Sequence, residues 1–301
     1  MKIAITGITG FLGSRLAPTL SEQGHTIVGL TRSPETASKR LPYCEFVHWP
    51  SFDQPIPAGA FNGVDTVIHL AGESVNGRWT RAKRERIMES RRIGTQKVVE
   101  AIAATSTPPN HLVSSSAIGI YGDRADTRLT EASDIGNIFL SDVCVAWEDA
   151  AKRAAQTGTK VSLLRTGLVL HPDGGALGEM LPLFRKGLGG TLGSGRQYWS
   201  WIHLDDWISA ACFVLEKKLE GPVNLVGPSP VPQKEFAKTL ASVLSRPAFL
   251  PAPAFALRAV LGGFASEVLT SKMVIPETLI NEGFAFEHPS LREALVQLMG
   301  F

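Results

Sequence analysis

Thr6-Gly7-Ile8-Thr9-Gly10-Phe11-Leu12-Gly13 stands almost at the start of the chain, and its reading decides the fold. Ile3-Ala4-Ile5 before it is an apolar run suited to a buried strand. After it, Leu12, Leu16 and Leu20 fall on one face of a helix reaching Glu22. A strand, three glycines spaced three residues apart, and a helix form the turn that seats a dinucleotide pyrophosphate. Gly7 permits the tight turn, Gly10 lets the backbone approach the phosphates, and Gly13 lets the helix lie close to the strand. The anion then meets unpaired N–H groups at the positive end of the helix dipole. This turn predicts an α/β fold, a Rossmann-type doubly wound parallel sheet. Gly7, Thr9, Gly10, Phe11, Leu12 and Gly13 are its expected cofactor contacts.

The next strand, residues 26–30, sharpens the cofactor. It ends in Thr31-Arg32-Ser33-Pro34. A fold that prefers NAD places Asp or Glu about 20 residues beyond the glycine turn, to bond the ribose 2′-hydroxyl. Here Thr31 and Arg32 stand instead, and a guanidinium suits a 2′-phosphate. NADP(H) is therefore the expected cofactor. Residues 65–70 form a buried strand continuing into Ala71-Gly72. Small residues at this end let the adenosine side of the cofactor pass Leu70, Ala71 and Gly72, while His69 reads as a packed core histidine.

Composition narrows the class. Hydrophobic residues make up 44% of the 301-residue chain, ordinary for a globular enzyme, and a net charge of +2 with no long basic block implies no nucleic-acid partner. The three cysteines (Cys44, Cys144, Cys212) are odd in number and lack metal-ligand spacing, so neither a disulfide frame nor a metal is expected. No apolar stretch is long enough for a bilayer, and the phosphate-turn glycines interrupt any signal-like start. A cytoplasmic protein with a small-molecule substrate and no membrane partner is expected. The oligomeric state stays open.

Residues 79–104 read as a long helix, basic in its first half and apolar at Val98, Val99 and Ile102. Residues 111–116 form a strand ending in serines, which at a strand's carboxyl end can donate to a substrate oxygen. Arg165 follows the apolar strand 161–164. A charge ending a buried strand is expensive without a partner, so it contacts either cofactor or substrate, or forms a structural ion pair.

Several of these segments resemble the extended and atypical short-chain dehydrogenases/reductases. T-G-x-x-G-F-L-G opens that family, and His69-Leu70-Ala71-Gly72 is similar to its fourth-strand motif. Ser114 to Gly122 resembles S-S-S-A-x-V-Y-G with one residue inserted, and Ile202-His203-Leu204-Asp205-Asp206 resembles F-I-H-V-D-D. Arg91-Arg92-Ile93-Gly94-Thr95 lies where extended members carry N-V-x-G-T. Together with Arg78-Trp79-Thr80, it is similar to one atypical subfamily, known as epimerase-like or cell-division-inhibitor-like, which also has a small C-terminal module. The resemblance spans almost the whole chain. It implies that Arg91 and Arg86 reach the cofactor, with Arg165 beside the nicotinamide, and that Ser116 is the catalytic serine.

The family's Y-x-x-x-K relay is missing. Four residues beyond Tyr43, Tyr121 and Tyr198 lie Val47, Ala125 and Ile202, and the aligned tyrosine and lysine slots hold Val143 and Trp147. Tyr121 and His203 are the candidate replacements, with Tyr121 joining Ser116 as a catalytic candidate. Asp205 is expected to cap the helix 206–216, and Trp199 and His203 to face the substrate cleft. Residues 1–170, with 200–226 returning, form the expected Rossmann domain. Residues 171–301 form a smaller α+β substrate-side lobe that includes the C-terminal module 251–301. The implied function is an NADP(H)-binding oxidoreductase or epimerase-like protein acting on an unidentified small molecule. A sugar-nucleotide epimerase and a non-catalytic NADP(H)-binding redox sensor are the alternatives.

Overall fold

The first strand shows how the sheet is built. Ile3 and Ile5 enter one core with Leu16, Leu20 and Trp207, whereas Ala4 enters another with Val28, Val67, Val98 and Ile102. Side chains alternate between faces along a strand, so apolar residues at every position require cover on both sides. A computed structural model, describing residues 1–300, shows that cover. Its parallel sheet has seven strands: β1 (Lys2–Thr6), β2 (Thr26–Thr31), β3 (Glu45–His48), β4 (Thr66–His69), β5 (His111–Ala117), β6 (Lys160–Thr166) and β7 (Gly221–Leu225). The spatial order is β3-β2-β1-β4-β5-β6-β7. Strand order reverses between β1 and β4, where a doubly wound sheet opens a crevice beyond its carboxyl ends.

The helices α1 (Gly13–Glu22), α2 (Pro34–Arg40), α3 (Arg81–Ala103), α4 (Phe139–Lys152), α5 (Gly175–Arg185), α6 (Leu204–Lys217) and α7 (Gln233–Val243) follow in the chain. The C-terminal part holds α8 (Ala254–Leu261), α9 (Phe264–Leu269), α10 (Glu277–Asn281) and α11 (Leu291–Met299). The helix expected over residues 79–104 is α3, and Thr80 caps it by accepting the Lys83 N–H at 3.2 Å. No helix among the described residues is long and apolar enough to cross a membrane.

The C-terminal part is stitched to the sheet through polar bonds. Met273-Val274 pairs in parallel with Arg128-Leu129. The Ser200 hydroxyl donates to the Lys272 carbonyl at 2.7 Å and accepts the Val274 N–H at 2.8 Å. Asn224 on β7 donates through Nδ2 to the Ile275 carbonyl at 3.0 Å.

Two expectations about this region are corrected. Asp205 does not cap α6; His203 does, accepting the Asp205 N–H on Nδ1 at 3.1 Å. Nor does His203 face a cleft: it is 1% exposed, stacks on His288 with ring centroids 3.8 Å apart, and bonds Gln297 Oε1 through Nε2. Asp206, one turn further in, accepts the backbone N–H groups of Glu287 and His288 at 2.8 and 3.0 Å. These side chains hold the C-terminal segment onto the Rossmann unit. Trp199 is half-buried and packs edge-on against Phe236.

Candidate functional site

The glycine turn has the steric form its spacing requires. Gly7 takes φ +70°, and its carbonyl accepts the Gly10 N–H at 2.9 Å. A Cβ on Gly7 would stand 2.8 Å from the Ala71 nitrogen, and one on Gly13 would stand 2.4 Å from the Gly7 oxygen. Both glycines are fixed by backbone that cannot move aside. Gly10 is different: it is exposed, and a Cβ there would meet only the Gly7 oxygen, at 3.1 Å. Thr9 is likewise exposed, and Leu12, the residue before α1, provides no side-chain cap. The backbone N–H groups of Phe11 and Leu12 have no acceptor among the described residues. The start of α1 is thus an open anion cradle. The Phe11 ring packs under Gly174, where a Cβ would lie 2.5 Å from it.

The end of β4 forms the facing wall. His69 lies fully buried between Thr6 Oγ1 at 2.6 Å and Thr95 Oγ1 at 3.0 Å, while the Thr6 hydroxyl also accepts the Ala71 N–H. A neutral imidazole satisfies this chain, and burial, reinforced by the Arg91 charge, pushes its pKa down to about 3. His69 therefore ties β1, β4 and α3 together beside the turn, the packed role read from the sequence. Beyond it Leu70 and Ala71 are half-buried and Gly72 is exposed.

The basic half of α3 reaches this wall. Lys83 and Arg86 converge on the Glu73 carboxylate at 2.7 and 3.6 Å, and the Lys83 hydrogen bond leads in lowering the Glu73 pKa. Arg91 donates through Nη1 to the Glu73 and Ile87 carbonyls at 2.9 and 3.2 Å. Its guanidinium carbon lies 4.8 Å from the Trp147 ring centroid, a cation–π stack. A Cβ on Gly72 would sit 3.5 Å from that carbon. No carboxylate forms a salt bridge with Arg91 among the described residues, and burial lowers its pKa. A half-buried guanidinium without a counter-ion faces the strand end beside the phosphate turn.

The end of β2 supplies the third element. Thr31 is buried and accepts the Ser33 N–H on its hydroxyl at 3.3 Å. Arg32 is exposed and makes no salt bridge among the described residues.

Arg165, Ser116 and Tyr121 meet elsewhere, in a closed network inside the protein. Arg165 donates to Glu148 through Nε at 2.8 Å and Nη2 at 3.0 Å. Through Nη1 it donates to the Tyr121 hydroxyl at 3.0 Å and the Glu131 carbonyl at 3.2 Å. Ser116 donates to Glu148 Oε1 at 2.7 Å, and Tyr121 donates to Asn224 Oδ1 at 2.6 Å. Burial alone would lower the Arg165 pKa, but Glu148 and Tyr121 raise it above its ordinary value. Of the two readings open for Arg165, the ion pair is the one the geometry shows.

The expectation that Ser116 or Tyr121 presents a hydroxyl to the cleft is corrected for the same reason. Ser116 is 3% and Tyr121 0% exposed, and both protons are donated internally. Burial pushes the Tyr121 phenol up to about 12, the opposite of what a proton relay needs. Sequence reading assigned no role to Glu148. Its signal was a lone carboxylate on the otherwise apolar buried side of α4, together with Cys144, Trp147 and Ala151.

The sheet order, the glycine cradle and the basic wall define a Rossmann-type nucleotide-binding protein. Residues 3–227 match the profile of the NAD dependent epimerase/dehydratase family, and residues 252–298 match a domain of unknown function, DUF1731. The chain belongs to that epimerase/dehydratase family. It is 38% identical over 296 residues to the epimerase family protein Mb2239 of Mycobacterium bovis, covering 97% of this chain and 96% of the relative. The chloroplastic epimerase family protein SDR39U1 homolog of Arabidopsis thaliana is 37% identical over 302 residues, covering 99% of this chain and 87% of the relative. The crystal structure of human epimerase family protein SDR39U1 (isoform 2) with NADPH superposes at TM-score 0.87 and 30% identity, covering 100% of this chain and 99% of that one.

Proposed function

We propose that this protein binds NADP(H) in preference to NAD(H), and that its chemistry on a small molecule proceeds without a tyrosine–lysine relay. The observation that carries the reading is Arg32, an exposed guanidinium with no salt bridge among the described residues at the end of β2, where a fold selective for NAD keeps a carboxylate. The residues fit the cofactor. The Gly7–Gly13 cradle with its free Phe11 and Leu12 N–H groups receives the pyrophosphate, Thr31 and Arg32 hold the 2′-phosphate, and Leu70, Ala71 and Gly72 border the adenosine side. Arg91 supplies positive charge at the strand end, and Arg86 adds to it from an exposed position on α3. The NADPH named with the human relative supports the same choice.

When bound, the nicotinamide supplies hydride transfer. The chain's own residues bind and orient it. Arg165 and Glu148 brace β6 against α4 behind the cleft rather than touching cofactor. With Val143 and Trp147 in the relay positions, and Ser116 and Tyr121 closed inside, proton transfer is slow. Positioned proton transfer contributes about 10²–10⁴-fold to rate, so turnover is low by that order. The same feature favours a second reading, a nicotinamide-binding sensor with no turnover.

Calorimetric titration of NADPH and NADH into wild type and Arg32→Ala tests the preference. A charged hydrogen bond contributes about 1.5–3 kcal/mol, so the substitution should weaken NADPH binding by about 10- to 150-fold and leave NADH nearly unchanged. An affinity ratio unaltered by Arg32→Ala overturns the assignment.

A further inference from the structure

The chain has six tryptophans, and five of them donate their indole N–H within the protein. Trp49, Trp79, Trp199 and Trp201 donate to carbonyls, and Trp207 to the Thr166 hydroxyl. Trp147 is the exception. It is 6% exposed, yet its Nε1 is buried without a partner among the described residues. A buried donor left unpaired costs about as much as a hydrogen bond is worth, and native proteins rarely keep one without reason. The reason is not poor packing, since the ring stacks beneath Arg91.

Two unmet donor groups therefore lie together. Arg91 uses only Nη1 on protein carbonyls, leaving Nε and Nη2 without acceptors among the described residues. Arg91 adjoins exposed Gly72, whose strand end touches the glycine turn through Ala71 and Gly7, and the Trp147 ring lies against the Arg91 guanidinium. Trp147 also stands four residues after Val143 on α4, the lysine position of the absent relay. A lysine there would offer a charge and a donor on one side chain. Here the two properties are divided between neighbours: the charge on Arg91 and the donor on Trp147.

We propose that the Trp147 indole N–H and the Arg91 guanidinium form a subsite for oxygens of the dinucleotide's sugar–phosphate, with Trp147 donating to a ribose hydroxyl. This rests on the dinucleotide reading above. Neither group loses its proton near neutral pH: indole is a donor only, and arginine stays charged. The subsite can hold the cofactor but cannot itself take up and release a proton during turnover. It is built for binding rather than relay.

The full-length Trp147→Phe variant tests this with two readouts. Phenylalanine keeps a ring under Arg91 and removes the orphaned donor, so the cofactor-free protein should melt at the same temperature or higher. NADPH affinity by calorimetry should fall about three- to tenfold. A tryptophan needed only for packing gives the reverse, lower stability with unchanged affinity, and overturns the proposal. Should the variant fail to fold, wild-type protein labelled with ¹⁵N-tryptophan serves instead. Five indole resonances should hold still on NADPH addition while one moves downfield and gains exchange protection. No moving resonance overturns the proposal. Wild type that binds neither NADPH nor NADH refutes the dinucleotide reading, and this proposal with it. Wild type that binds while Trp147→Phe binds equally well refutes the Trp147 assignment alone.

Discussion

Glu148→Gln isolates the charge at the centre of the buried network, since the side chain keeps its size and loses its ionisation. Arg165 would remain 7% exposed with its positive charge unmatched. Of the two bonds at 2.8 and 3.0 Å only one could persist, from the charged guanidinium to a neutral carbonyl oxygen, and Ser116 would compete for that oxygen. An amide NH₂ placed against Arg165 or Ser116 adds a donor facing a donor. Removing one partner of a buried ion pair costs about 3–5 kcal/mol. At about 2.1 cal/mol/K per residue, a chain of this length unfolds with an entropy of about 0.6 kcal/mol/K, so the melting temperature should fall by about 5–8 °C. Differential scanning calorimetry and urea denaturation measure both quantities. The double variant Glu148→Leu/Arg165→Met replaces the pair by apolar groups and should regain most of the loss. A Glu148→Gln loss under about 1 kcal/mol would refute the claim that this pair closes the protein behind the cleft.

The glycines of the turn should separate by their surroundings. Gly13→Ala drives a Cβ to 2.4 Å from the Gly7 oxygen and should abolish soluble folded protein, whereas Gly10→Ala should fold and lose NADPH binding; circular dichroism and calorimetry distinguish the two, and equal effects would contradict the assignment. Stability should also fall with acid. Burial leads in pushing His69 down to about 3 and His111 to about 4, against about 6.5 when unfolded. Between those values the unfolded chain binds more protons, so unfolding free energy should drop as pH falls below about 6.5, by about 2–3 kcal/mol per unit between pH 6 and 5 for the two together. A flat urea-denaturation profile across that range would contradict their neutral burial.

Much of this fold was legible because its signals are local. The Gly7–Gly13 spacing, the apolar run Ile3-Ala4-Ile5 and the arginine ending β2 each depend on residues a few positions apart. His69 was legible as a core histidine because its strand is apolar on both sides. The Arg165–Glu148 pair was only half legible: a charge ending a buried strand needs a partner, but which residue supplies it depends on how α4 packs against β6. The His203–His288 stack was beyond sequence reasoning, since it joins residues 85 positions apart through the docking of the C-terminal segment. Matching Ile202 to Asp206 with a family segment suggested a cap at Asp205. The backbone instead begins α6 two residues earlier and hands the cap to His203. Ser116 and Tyr121 fit their motif by sequence, yet Glu148 holds the Ser116 hydroxyl inward, and Arg165 and Asn224 hold the Tyr121 hydroxyl.

The central claim is that the start of α1 and the end of β2 together hold a dinucleotide bearing a 2′-phosphate. A crystal structure grown with NADPH measures it directly. The pyrophosphate should lie on the Phe11 and Leu12 N–H groups and the 2′-phosphate within hydrogen-bond distance of Arg32. A cofactor seated away from Gly10, or a 2′-phosphate pointing into solvent with Arg32 turned aside, would contradict it.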